Sequence, residues 1–222
     1  MDSSKKSRGR FWLTILTLLI VACAFVGVAF GKYIQTSMYT GELQFNAKLA
    51  DSFEMLEHQA ERKNDGSYEL NAGVTVTEND YELIPGLDIP KDPYVRIVNK
   101  TSIEAYLYLE VVDATNNSAI EWELEGHWLL LDGVTGKKNN GAVYVYAADG
   151  VTPTPLTRQE GELKISVLKD NMVYVKQKLL MAETNDALTF YAAMGEVNAV
   201  KDGSAFDNAK AIYKNHVKNV TP

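Results

Sequence analysis

Ala105-Tyr-Leu-Tyr-Leu-Glu-Val-Val112 decides the fold class. The stretch is rich in β-branched and aromatic residues. Its two-residue alternation sets Tyr106, Tyr108 and Glu110 on the face opposite Leu107, Leu109 and Val111, which predicts a strand. Outward from it the same period returns. Leu163, Ile165 and Val167 alternate with Glu162, Lys164 and Ser166, the pattern of one face on a core and one in water. Val143 and Val145 alternate with Tyr144 and Tyr146 ahead of a turn at Asp149-Gly150.

Further strands are predicted near 67–71, 73–77, 94–98, 120–124, 128–131, 172–178 and 187–192. Asp65-Gly66, Pro85-Gly86, Asp132-Gly133 and Asn140-Gly141 supply turns between many of them. Many short strands at this spacing predict an all-β antiparallel sandwich or barrel. One helix is expected near the C-terminus. Ser204 and Asp207 resemble a capping box, and Phe206, Ala209, Tyr213 and Val217 then fall along one side. Between Gly41 and Leu56 two periods compete. Leu43, Phe45, Ala47 and Leu49 alternate as a strand while Leu49, Phe53 and Leu56 suit a helix, and the segment reads as a strand running into a short connection.

The N-terminus has a different character. Lys5, Lys6, Arg8 and Arg10 precede an uncharged apolar run from Phe11 to Phe30, closed by Gly31 and Lys32. A cationic start and an apolar run form an export signal. Twenty helical residues also span about 30 Å, the hydrocarbon thickness of a bilayer, so the segment is long enough to stay as an N-terminal signal or transmembrane helix. The positive-inside rule keeps the basic residues cytoplasmic and delivers the chain after Lys32 to the outside. Three outcomes compete. The first is signal cleavage, at Ala29-Phe30-Gly31 or at the earlier small-x-small pattern of Ala22-Cys23-Ala24. The second is an uncleaved anchor. The third is lipidation at Cys23, although the apolar continuation from Ala24 to Phe30 suits a small hydrophobe at Cys23 better. The expected organisation is a signal or anchor over residues 1–31 and one extracellular β-sandwich domain over 32–222.

Composition narrows the functional classes. The 222 residues carry a net charge of −7, and removing residues 1–31 leaves 18 basic against 28 acidic side chains, a net −10. That surface repels nucleic acid. The single cysteine lies in the leader, so the remainder has no disulfide framework and must be held by core burial. Three histidines and one cysteine offer no ordinary zinc spacing.

Searches for catalytic motifs return negatives. His58, in Glu57-His58-Gln59-Ala60-Glu61, lacks the second histidine of a zincin helix, and His127 and His216 have no histidine or cysteine nearby. There is no Gly-x-Ser-x-Gly elbow, P-loop or dinucleotide fingerprint. Glu121, Glu123 and Glu125 read as a solvated acidic stripe. Asp88 with Asp92, and Glu78-Asn79-Asp80, are short acidic sets without the frame of an EF-hand loop. No cofactor, metal or enzymatic activity is expected. Trp122, Trp128, Tyr144 and Tyr146 are candidates for a stacking surface for a carbohydrate or host ligand, with core packing as their other use.

The most distinctive stretch is Tyr81-Glu-Leu-Ile-Pro-Gly-Leu-Asp-Ile-Pro-Lys-Asp-Pro-Tyr94. Its prolines fix φ and remove amide donors, so it reads as a rigid sheet-edge or sheet-crossing connection. Pro85, Gly86, Pro90, Lys91, Asp92 and Pro93, followed by Asn99 and by Glu104-Ala-Tyr-Leu-Tyr-Leu-Glu-Val, resemble the exported Gram-positive surface proteins related to TasA and camelysin. The leader is similar to segments cut by a SipW-type peptidase, and Leu188-Thr-Phe-Tyr-Ala-Ala before an Ala-bearing helix is similar too. The resemblance implies a jelly-roll sandwich and, as in some members, assembly into extracellular fibres or biofilm matrix. Camelysins are labelled metallopeptidases, but no zinc motif here receives that role. The expected partners are the membrane through the N-terminal segment, and further copies or other surface proteins. A physical route to assembly is strand donation: residues 33–49 are β-competent, and exposed sheet edges accept strands.

Overall fold

The computed structural model describes residues 52–98, 100, 102–113, 120–138, 140–177, 188–197 and 203–218. The leader residues Lys5, Lys6, Arg8 and Arg10, the candidate processing sites Cys23, Ala29 and Gly31, and the segment 33–49 lie outside them.

In chain order the strands are β1 (Phe53–Arg62), β2 (Tyr68–Val76), β3 (Ile89–Pro90), β4 (Tyr94–Ile97), β5 (Ala105–Asp113), β6 (Ile120–Glu121), β7 (Trp128–Thr135), β8 (Ala142–Tyr146), β9 (Leu163–Ser166), β10 (Met172–Val175) and β11 (Leu188–Glu196). Among the described residues one α-helix, α1 (Ala205–Ile212), runs into a π-helical turn over Tyr213–Val217. Among the described residues all strand pairings are antiparallel. They build a sheet of order β2-β1-β4-β9, a second of order β11-β5-β8-β7, and a small third of order β3-β10-β6.

The alternation read in 105–112 is realised in β5, with a refinement. Leu107, Leu109 and Val111 join Val95 and Ile97 of β4, Ile165 of β9 and Phe190 and Met194 of β11 in one core, so the two large sheets face each other. Tyr106 and Tyr108, on the opposite face, are buried as well, in a second core with Val143 and Val145 of β8 and with Ala209, Ile212 and Tyr213. β5 is covered on both sides because the C-terminal helix lies on the outer face of its sheet. The helix starts where the sequence placed it. Ser204 Oγ accepts from the Asp207 N–H at 3.2 Å while the Asp207 carboxylate reaches back to Ser204. A glycine permits the close approach. A Cβ on Gly195 of β11 would sit 2.6 Å from Ile212 Cγ2 and 2.9 Å from Val217 Cγ2.

Several expectations are corrected. Phe53–Leu56, read as the end of a strand and a connection, begins the ten-residue β1. The two segments predicted at 67–71 and 73–77 form the single strand β2, with Ala72, Gly73 and Val74 bulging between the pairs Gln59↔Asn71 and His58↔Thr75. Asp132-Gly133 does not end a strand. It lies in a bulge of β7, where residues 131–134 intervene between Leu130↔Tyr144 and Thr135↔Ala142, with Gly133 at φ 72°. Of the predicted strand at 120–124, Ile120–Glu121 form a strand and Leu124 adds an isolated bridge to Leu168, and among the described residues of that at 172–178 the strand covers Met172–Val175.

Candidate functional site

A concentration of partly buried polar groups lies where β1 meets the proline segment. Leu87 N–H donates to Ile84 O at 3.0 Å with Gly86 at φ 77°, the left-handed position a Pro-Gly turn needs. Pro90 then falls in β3, the outer strand of the three-stranded sheet, which agrees with the edge position its missing amide requires. Pro93 is buried, and its carbonyl accepts from Val167 N–H at 2.9 Å.

Between Pro90 and Pro93, Lys91 and Asp92 face consecutive residues of β1. Lys91 Nζ lies 2.7 Å from Glu57 Oε2, both side chains being largely buried. Asp92 clamps His58 twice, accepting from its backbone N–H at 3.0 Å and from Nδ1 at 2.5 Å. Asn79 ties the same strand from the other flank, accepting from Ala60 N–H at 2.7 Å and donating to His58 O at 2.8 Å. Tyr81 donates to Pro90 O at 3.1 Å, and its ring lies 5.3 Å from the Lys91 ammonium. Burial, helped by the charges of Glu57 and Asp92, pushes the Tyr81 phenol well up from its ordinary value.

A histidine oriented by a carboxylate through Nδ1 is the arrangement that holds a general base in register. Here Asp92 also holds the backbone of the strand that carries His58. The bonds of Lys91, Asp92 and Asn79 join β1 to 79–92, while Tyr81 braces that segment from within, so the arrangement fastens the proline segment to the sandwich. Sequence reasoning placed Pro85, Gly86, Pro90, Lys91, Asp92 and Pro93 together but missed Glu57 and His58 as their partners. The signal was faint: two opposite-charge dipeptide positions 34 residues apart.

The other histidines lie elsewhere. His127, in the turn before β7, donates from Nε2 to Ser166 O at 2.8 Å, and the same carbonyl accepts the Trp128 indole N–H at 2.9 Å. His216 is exposed on the π-helical turn. Among the described residues no group of three or more His, Cys, Asp or Glu is placed to hold a metal ion. The acidic sets are partly engaged with lysines: Glu123 pairs with Lys169 at 2.8 Å and Glu121 with Lys176 at 3.9 Å.

The stacking surface is corrected. Trp128 is buried, while Trp122, Tyr144 and Tyr146 pack half-buried against the inter-sheet core. Strand alternation is the reason, since Val143 and Val145 point to the helix side and their tyrosine neighbours must point inward. Trp122 meets Phe190 edge-on at 6.4 Å and donates to Asp113 at 2.9 Å, whereas Trp128 meets Tyr146 and His127. The four rings therefore do not form one open platform.

A second buried polar centre was not anticipated. Glu110, on the helix-facing side of β5, is 5% exposed; it accepts from the Tyr213 hydroxyl and from Lys138 N–H at 3.0 Å. Tyr108 donates to Ala209 O at 2.9 Å beside it. Burial first, then the bond to Glu110, drives the Tyr213 phenol far up from its usual value. Both tyrosines tie the C-terminal helix to β5.

No family model, curated protein or solved structure matches this chain.

Proposed function

We propose that the chain is an exported, non-enzymatic structural protein of the bacterial cell surface or extracellular matrix, with a jelly-roll connectivity and a capacity to assemble into fibres by strand donation. The observation that carries this reading is a two-layered antiparallel body in which the conspicuous polar groups fasten one element to another: Glu57–Lys91, His58–Asp92, Glu110–Tyr213. A sandwich built so is suited to bearing load and presenting edges. The cationic and apolar leader supplies delivery across a membrane, and the acidic remainder suits a wet, ion-rich exterior. The resemblance to TasA- and camelysin-type proteins in the proline segment points the same way.

Electron microscopy of material exported by a Gram-positive host tests the proposal. Filaments are expected. A persistent monomer that binds a glycan array would replace this reading with that of a surface binding module.

A further inference from the structure

Charge is not spread evenly over the sandwich. In the sheet β2-β1-β4-β9 and its turns cations come matched with acids: Arg62 with Glu82, Lys63 with Glu69, Arg96 with Glu54 and Lys169 with Glu123. Residues 133–148 and 208–222 break that habit. Together they hold five lysines and no carboxylate, which leaves 13 basic against 28 acidic side chains in the rest of the chain beyond residue 31. Asp132, Asp149 and Asp207 flank these segments without entering them.

Folding brings the two segments together. Lys218 Nζ donates to Thr135 O and to Thr135 Oγ1, each at 3.0 Å, and the buried Glu110 carboxylate takes the Tyr213 hydroxyl on one oxygen and Lys138 N–H on the other. The connection from β7 to β8 is held close to the sheet. Gly136 N–H donates to Gly141 O at 2.7 Å, and a Cβ on Gly136 would lie 2.7 Å from Glu110 Oε2. Bound from beneath, the connection leaves Lys137 and Lys138 exposed; Lys214 is exposed beside it on the π-helical turn, with Lys210 and Lys218 half-buried. A helix C-terminus attracts cations, which accounts for Lys214 and Lys218 but not for the lysines of the facing connection.

We propose that this lysine face binds a flexible linear polyanion, a polymer of repeated phosphate or carboxylate groups, whether or not the chain assembles. The five cations are all lysine, a point charge that needs no fixed fork geometry and so tolerates an anion that repeats and slides. A bilayer is a poorer fit, because Val134, Val143, Val145, Ala209 and Ile212 of these segments turn inward and leave no apolar side to insert. A stiff duplex would also run over the acidic remainder, which repels it, whereas a flexible chain can stay on the face.

Fluorescence anisotropy on the chain exported by a Gram-positive host tests this, with labelled polyphosphate and labelled polygalacturonate as separate probes of the two anion types. Saturable binding of at least one is expected. On a slope of about −0.7 per neutralised charge, five lysines imply an affinity loss of about a hundredfold between about 50 and 200 mM salt. Lys138→Glu with Lys210→Glu should weaken binding at least about tenfold and flatten that slope. Lys63→Glu with Lys169→Glu, the same change of net charge at exposed ion pairs, should alter it little. Melting midpoints check that both variants fold as the parent does. No binding of either polymer at low salt would overturn the proposal, and so would equal losses in the two double variants, since the molecule's overall charge would then suffice. Tighter binding of duplex DNA or of phosphatidylglycerol vesicles would replace the polymer with a nucleic acid or a membrane. Salt-sensitive self-association abolished by Lys138→Glu with Lys210→Glu, with neither polymer bound, would make an acidic second copy the occupant instead.

Discussion

Glu57 and Lys91 show how much a single pair can matter at the residue scale. An exposed ion pair contributes little, but removing one member of a largely buried pair leaves an uncompensated charge away from water. Lys91→Met is expected to destabilise the fold by about 3–5 kcal/mol, and adding Glu57→Leu to restore most of that loss, read from urea midpoints of the single and double variants. The tyrosines set an alkaline limit. Burial raises the phenols of Tyr81, Tyr108 and Tyr213 above the ordinary value of 10.0, so these groups stay neutral in the fold but ionise readily once it opens. Their contribution is whole below pH about 10 and falls as pH rises beyond it. Tyrosinate absorbance should therefore rise together with loss of β-sheet ellipticity above that pH. A smooth non-cooperative titration with ellipticity intact would contradict this. His58 was legible in sequence as an isolated histidine, but its carboxylate was not, because the contact joins residues 34 positions apart.

At the scale of elements, the strand at 105–112 and the Ser204 cap could be read because each rests on local physics: alternation in one case, a three-residue spacing in the other. β1 could not. Its first residues pair with β4 and its later ones with β2, and the charged Glu54, Glu57, Glu61 and Arg62 along it hide the period. Leu49, Phe53 and Leu56 then mimic a helical face. β7 escaped for a related reason: a turn dipeptide inside a bulge has the same sequence as one that ends a strand. The helix-to-sheet contact is narrow enough to break with one carbon. Gly195→Ala should push Ile212 and Val217 off β11 and cost about 1–3 kcal/mol, with exchange protection lost first at Ala209–Tyr213. Leu109→Ala, in the core between the sheets, should cost about 2–5 kcal/mol and lower protection throughout.

For the whole molecule, assembly and stability are separable quantities. Deleting residues 32–46 is expected to abolish filaments while the remaining chain keeps its ellipticity and its melting midpoint within a few degrees. Filaments that survive the deletion would remove strand donation as the mechanism. With the acidic sets engaged by lysines at Glu121 and Glu123, a chelator should leave the melting midpoint unchanged, and a fall of several degrees would reveal a bound cation.

The pairing of β5 with β11 also bears on when the chain can fold. Asp113 meets Leu188 and Ala105 meets Glu196, partners made 75 to 91 positions later. The longest ladder among the described residues cannot close until residue 196 has been made, and contacts so far apart in sequence form slowly. Until residues 188–196 are made, one edge of β5 stays unpaired, a state compatible with threading through the translocation channel that the proposed export requires.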